Sequence, residues 1–255
     1  MKISIITVCL NSADTLADAL RSVASQTHPE KEHIVIDGGS NDGTQDIIAA
    51  HPEISHFVSE PDQGMYDAMN KGIALATGDV VGILNADDFY ADDQVLEQVA
   101  QVFSDPGIDA CYADLVYVSK QNVNRVIRYW KSCPYRPGLF ERGWMPAHPT
   151  FFVRRSVYAA YGNFDLRFRR QADFELTMRF LAKYRVKSRY VPQIWINMRL
   201  GGASNNSLSG IVKGNIEGYR AFKKNGLNAY MLLFMAHKIL SRVPQFFKKP
   251  GPQAS

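Results

Sequence analysis

Over the first hundred residues short, continuous apolar runs alternate with stretches of helical periodicity, and that alternation constrains the fold more than any other feature. Residues 3–9, 33–37, 54–59 and 80–85 read as strands, and 13–26, 44–50, 66–76 and 92–104 as helices. Strands without polar alternation are buried on both faces. Interleaved with helices, they predict an α/β fold with a Rossmann-type, mostly parallel sheet and helices on both faces. The pattern then changes. Residues 110–118 and 125–130 read as less regular strands, and Pro134, Pro137, Gly138, Gly143, Pro146 and Pro149 interrupt any long element. A strand over 150–153 and helices over 155–161 and 173–183 follow. Residues 197–209 read as a Gly-, Ser- and Asn-rich loop, 210–225 and 229–243 as terminal helices, and 246–255 as a tail.

The chain of 255 residues is 46% hydrophobic and 21% charged, which excludes a stapled mini-protein, wholesale disorder and a fibrous repeat. Cys9, Cys111 and Cys133 form no C-x-x-C pair, so neither a disulfide framework nor a zinc knuckle is expected, and a cytoplasmic location is. The apolar start is too short for a secretory leader. The run over 229–236 is too short for a membrane span. The net charge of +4 conceals a balance of −16 over residues 1–119 and +20 over 120–255. Either the second half offers a surface to an anionic partner, or the halves neutralise each other.

In a parallel sheet the ligand sits beyond the carboxyl ends of the strands. Here those ends carry Thr7 to Asn11, Asp37 to Thr44, and Asn85 to Asp88. No G-x-G-x-x-G follows a strand in register and no phosphate-cradling G-x-x-x-x-G-K occurs. Asp37 suits a nucleobase N–H or a ribose hydroxyl, or else organises the Gly38-Gly39 turn through its own carboxylate. Asp87 and Asp88 are adjacent acids whose repulsion a divalent Mg2+ or Mn2+ would relieve; the alternative is that Asp88 caps the next helix.

Five ordered segments resemble family 2 glycosyltransferases, whose fold is called GT-A: Ile-Thr-Val-Cys-Leu-Asn (6–11), Ser-Val-Ala-Ser-Gln-Thr (22–27), Ile-Asp-Gly-Gly-Ser-Asn-Asp-Gly-Thr (36–44), Asn-Lys-Gly-Ile (70–73) and Leu-Asn-Ala-Asp-Asp (84–88). The resemblance implies that Thr7, Asn11 and Asp37 hold the nucleoside of a UDP-, GDP- or dTDP-linked sugar, with Asn70 and Lys71 near it. Asp88, with Asp87, would engage metal and ribose, although Asn85 stands where many relatives carry another acid. Downstream, Ala172-Asp173-Phe174-Glu175-Leu176 looks like the acceptor-side motif, with Ala172 in place of the usual acid. Asp173 is then the general base of an inverting transfer; the alternatives are a helix-capping Asp173 and a second candidate base in Glu175.

Arg154, Arg155, Arg167, Arg169, Arg170 and Arg199 are candidate cations for the diphosphate. His148 is a candidate metal ligand or acceptor contact, or simply a loop residue. Residues 199–204 read as a lid or a passive connector. The expected organisation is a catalytic domain over 1–208, its nucleotide-binding half 1–119 and acceptor half 120–208, followed by a helical extension over 209–255. That extension holds eight Lys/Arg and one Glu among Tyr219, Phe222, Tyr230, Phe234, Phe246 and Phe247. It suits peripheral contact with an acidic inner leaflet, or packing on the core; nothing marks it for nucleic acid. The Gln-x-x-Arg-Trp motif and membrane helices of processive synthases are not found, so the implied activity is addition of a single sugar to a glycan or lipid-linked glycan in surface polysaccharide or lipopolysaccharide synthesis. A sugar nucleotidyltransferase and a non-catalytic membrane-associated scaffold are the rival readings.

Overall fold

The computed structural model describes residues 1–201, 208–240 and 245. The upstream elements are β1 (Ile3–Cys9), α1 (Leu16–Ala24), β2 (Lys31–Asp37), α2 (Thr44–Ala49), β3 (His56–Ser59), α3 (Met65–Leu75), β4 (Val80–Asn85), β5 (Asp88–Tyr90) and α4 (Val95–Phe103). Downstream follow β6 (Ala110–Val118), β7 (Val126–Trp130), β8 (Phe152–Arg154), α5 (Arg155–Tyr161), α6 (Ala172–Met178), β9 (Ser188–Arg199), α7 (Leu208–Lys224) and α8 (Met231–Leu240). One sheet runs through both halves in the order β3-β2-β1-β4-β8-β6-β9-β5, with β7 bonded to β6. β3, β2, β1 and β4 are parallel, as the apolar runs require. Beyond them the sheet is mixed: β6 and β9 are parallel, while β8, β7 and β5 lie antiparallel to their neighbours.

All seven residues of β1 are buried. Ile6 and Val8 pack in the layer of α3 and α6, and Ile3 and Ile5 in the layer of α1 and α4. Each such side chain contributes roughly 1.5–3 kcal/mol by leaving water. α3 approaches β1 so closely that a Cβ on Gly72 would lie 2.3 Å from Ile6 Cγ2. Strand order reverses at β1, where the chain turns back from β3 to place β4 on the other side of β1. The loops leaving β1, β2 and β4 therefore open onto one crevice.

Two strands escape the sequence reading. β5 has only three residues, and β9 extends to Arg199, three residues into the segment read as a loop. Pro192 accounts for the second omission. It cannot donate to a ladder, and the β6–β9 register shifts around Asp114 to accommodate it. Residues 202–204 of the expected lid and residues 246–255 lie outside the described residues.

The terminal helices pack on the core. Phe222 and Phe234 are fully buried against Phe174, which for these two rings is the core-packing alternative. The buried Glu175 carboxylate accepts from Lys224 Nζ at 2.8 Å and Asn225 Nδ2 at 3.1 Å and pairs with Arg179 at 3.2 Å. Among the described residues no helix is long and apolar enough to cross a membrane.

At the amino-terminal edge of the parallel strands Glu32 is the structural anchor. Its buried carboxylate accepts from Lys2, Ser4 Oγ, Thr77 N and Oγ1, and Gly78 N, tying β1 and β2 to the turn before β4. Burial opposes ionisation, but these donors outweigh it and hold the carboxyl down at about 2, against 4.5 ordinarily. Because the folded value is depressed, the contribution is present above pH 4.5 and is lost as pH falls toward about 2. Glu32→Gln is expected to destabilise the protein by about 1–3 kcal/mol near neutral pH, with the gap to the parent shrinking on acidification. Urea unfolding at neutral and acidic pH measures this; a gap that does not change with pH would remove the charged role of Glu32.

Candidate active site

The rim is built by the β1 and β2 loops holding each other. Asn11 takes a left-handed conformation, φ +49°. Its amide donates to Ser40 Oγ at 2.7 Å, and its side-chain oxygen accepts from Asn41 N at 3.0 Å. Asp37, fully buried, accepts from Ser40 N at 3.0 Å, Ser59 Oγ at 2.6 Å, Ser40 Oγ and the Cys9 thiol. Burial works against the charge, but these donors prevail and hold its carboxyl below the usual range. These bonds are those of the turn-organising alternative, and a nucleobase N–H reaching Asp37 would compete with these four donors. Thr7 is corrected from a direct contact to a supporting one. It is fully buried within β1, and Oγ1 lies 2.9 Å from His33 Nε2, so its hydroxyl is turned into the protein.

Asp87 and Asp88 follow β4, and Asp88 begins β5 rather than capping a helix. Asp88 is fully buried; Oδ2 accepts from Asn85 Nδ2 at 3.0 Å, while Oδ1 and the Asn85 side-chain oxygen have no partner. Burial, and then the neighbouring Asp87, push the Asp88 carboxyl well above the usual range; burial raises Asp87 as well. The described residues contain no cluster of three or more His, Cys, Asp or Glu able to hold a metal. Two unpartnered hard oxygens beside a second acid nevertheless fit Mg2+ or Mn2+, which bind through one or two carboxylates and complete their shell with water and phosphate.

Arg199 fixes this turn. It is buried, donates to the Asp87 carbonyl at 3.0 Å, pairs with Asp18 and lies over the Phe89 ring. It is a clamp on the acidic turn rather than a freely presented cation. Arg154 and Arg155 are corrected more sharply. Arg154 pairs with Val80, the first residue of β4, and Arg155 donates to the Gly78 carbonyl, so both lie at the opposite edge of the sheet. Arg167 is spent on Asp165 at the surface.

An open cleft of about 460 Å³, including the solvent at its mouth, lies between α3, the end of β4, the turn over 148–150 and α6. Its walls are mainly apolar, and Asn85, His148, Asp173 and Thr177 supply its polar groups. Asp173 Oδ1 accepts from Tyr66 OH at 3.1 Å and from the Phe174 amide at 2.8 Å. Oδ2 lies 3.3 Å from His148 Nδ1, out of line for a hydrogen bond. His148 thus stands against Asp173. Glu175 is excluded as a base because its carboxylate is buried away from the cleft in the α6–α7 contact.

Asn70 and Lys71 hold protein. The Asn70 amide makes two 2.9 Å bonds to the Phe164 backbone, and Lys71 Nζ meets Glu60 at 2.8 Å and the Pro61 carbonyl at 3.1 Å. Tyr66 is the site residue that sequence reasoning missed. Its signal was its phenol, because a buried tyrosine hydroxyl in an otherwise apolar stripe usually finds a partner.

Comparison with known proteins shows the family and the shared fold. The family model "Glycosyl transferase family 2" matches residues 4–230. A PGL/p-HBAD biosynthesis glycosyltransferase of Mycobacterium bovis is 32% identical over 208 residues, 79% of this chain and 78% of that protein. An uncharacterized glycosyltransferase of Mycobacterium tuberculosis is 33% identical over 183 residues, 69% of this chain and 68% of that one. The fold is shared with Staphylococcus aureus TarS, solved with UDP, at TM-score 0.66 and 18% identity, covering 93% of this chain and 68% of that one. It is shared also with the mannosyltransferase PcManGT of Pyrobaculum calidifontis, solved with GDP-Man and Mn2+, at TM-score 0.62 and 18% identity, covering 98% and 76%. With a GT-A sheet, an acidic turn after β4 and a family match across nearly its whole length, the chain belongs to glycosyltransferase family 2.

Proposed function

We propose that this glycosyltransferase moves one sugar, with inversion, from a nucleotide-sugar to an acceptor hydroxyl, with Asp173 as general base. The observation that carries the reading is the shared cleft. Asn85, which belongs to the acidic turn, and Asp173, which comes from the other half of the chain, line the same space. Asp173 Oδ2 takes the proton of the acceptor hydroxyl as its oxygen attacks the anomeric carbon, and the bond to the diphosphate breaks with its electron pair leaving on the nucleotide. Asp88, with Asp87 and the Asn85 side-chain oxygen, would hold Mg2+ or Mn2+, which when bound neutralises charge on the departing diphosphate. Asn11 and the Asp37 turn form the rim on which the nucleoside would rest. The TarS complex with UDP-GlcNAc and the PcManGT complex with GDP-Man and Mn2+ support a nucleotide-sugar donor and a divalent cation.

The acceptor we infer is a glycan or lipid-linked glycan of a surface polysaccharide or lipopolysaccharide, met at the inner face of the plasma membrane. Lys213, Arg220 and Lys223 on α7 are exposed, as are Tyr230 at 84% and Leu240 at 65%. Basic residues beside exposed apolar groups support peripheral contact with acidic lipid, each basic group contributing on the order of 1 kcal/mol.

Asp173→Asn is expected to reduce transfer by at least about 100-fold while leaving nucleotide binding intact. Sugar transfer and a nucleotide-induced melting shift, measured on the same preparation, check this, and full activity in the variant would remove the base. In a melting panel of UDP, GDP and dTDP with and without Mn2+, one nucleotide is expected to raise the melting temperature in a cation-dependent way, and Asp88→Asn should abolish that dependence. A shift indifferent to Mn2+ in both proteins would refute the metal assignment. Sedimentation with anionic vesicles should pellet the protein at low salt and release it at high salt; no binding to anionic vesicles at low salt would remove the membrane contact.

A further inference from the structure

Resting on the reading of Asp173 as the base, we propose that Tyr66 is its positioning residue: by donating its single phenolic proton to Oδ1, it leaves Oδ2 as the oxygen that receives the acceptor's proton. The two carboxylate oxygens are not equivalent in this structure. Oδ1 is saturated by Tyr66 OH at 3.1 Å and the Phe174 amide at 2.8 Å. Oδ2 receives no aligned hydrogen bond, and its near neighbour is the His148 ring at 3.3 Å. A carboxylate with one oxygen filled from two directions cannot rotate about its Cβ–Cγ bond without breaking both bonds. The free oxygen is thereby aimed in advance at the place where a hydroxyl must arrive.

Tyr66 is itself held for this task. It is 6% exposed, stacks on Phe164 with ring centroids 5.4 Å apart, and stands one turn of α3 from Asn70, whose amide grips both backbone groups of the same Phe164. The phenol is pushed well above its ordinary titration range, chiefly by burial and then by Asp173, so it stays a donor throughout the working range. The ring comes from the upstream half and the carboxylate from the downstream half, 107 residues away in the chain. The bond therefore registers the base against the donor-side strands as well as orienting it.

The test is a double-variant cycle of Tyr66→Phe and Asp173→Asn, with Phe164→Leu beside it, assayed for transfer, with melting and nucleotide-induced shifts on each. Tyr66→Phe keeps the ring and its stack and removes only the hydroxyl. It is expected to lower kcat by about 10-fold, with the donor KM and the nucleotide-induced shift unchanged. Because Tyr66 acts through Asp173, the double variant Tyr66→Phe with Asp173→Asn should be no slower than Asp173→Asn alone. Phe164→Leu, which removes the stacking partner and leaves the hydroxyl, should lower kcat in the same direction and to a smaller extent. Losses that multiply in the double variant, an unchanged kcat in Tyr66→Phe, or a loss that appears in KM and nucleotide binding instead would each overturn the positioning role. Full activity in Asp173→Asn alone is a different result: it would remove the base itself, and the cycle reports it separately.

Discussion

The site depends on where α3 lies, because this helix ties β1 to the downstream half that carries Asp173. Gly72 brings it against Ile6 in β1, at a distance that admits no side chain. One turn earlier Met69 packs in the same core layer, and Asn70 holds the backbone of Phe164 in the downstream half. Another turn earlier Tyr66 reaches Asp173. A helix fixed at one end by steric contact and at the other by directional bonds converts the stability of the parallel strands into the placement of a carboxylate. Protein interiors transmit such constraint because they are close-packed.

Two acids at or just beyond the ends of the strands that flank β1 show how differently the same chemistry is used. Asp37 and Asp88 are both fully buried, so both lose hydration that favours their charge. Asp37 recovers it from four protein donors and sits below the ordinary carboxylate range. Asp88 has a single side-chain donor in Asn85, an unpartnered oxygen and a second acid beside it, and moves the other way. The first arrangement is complete within the protein and organises a loop. The second is incomplete, and incompleteness in a buried carboxylate at a sheet crevice is the pattern expected where a ligand supplies what is missing.

Much of this was legible in the sequence, for identifiable reasons. Continuous apolar runs gave the parallel strands, since a run such as Ile3 to Cys9 has no polar side to present to water. The Asp37 and Asp88 segments were legible because acids at the ends of apolar strands stand out against their neighbours, whereas Asp173 was legible only through the family resemblance of its segment. What stayed hidden were the partners. The phenol of Tyr66 belongs to an apolar stripe by periodicity, and its bond to Asp173 spans 107 residues, which no local pattern encodes. Thr7, Asn70 and Arg199 were visible as polar residues near the crevice, but whether each faces it or braces it is decided by tertiary contacts. The β9 strand was obscured by Pro192, and its pairing with β6 depends on a register shift.

The division of charge along the chain gains a local meaning at the acidic turn. Two basic residues from the downstream half act on Asp87: Arg199 and Lys120. Arg199 is also shared with Asp18 and the Phe89 ring, so its charge is distributed over an acid, a carbonyl and a π face. Even with both cations present, Asp87 and Asp88 remain harder to ionise than ordinary carboxylates. The upstream acids are therefore partly neutralised across the halves, as packing of opposite charge would have it, yet the neutralisation stops short at the turn where the Asp88 and Asn85 oxygens have no partner among the described residues. A divalent cation arriving with a diphosphate would supply a partner to those oxygens and let both carboxylates ionise. On the proposed reading, the charge that the turn lacks is what a metal-bound nucleotide would bring and a bare anion would not.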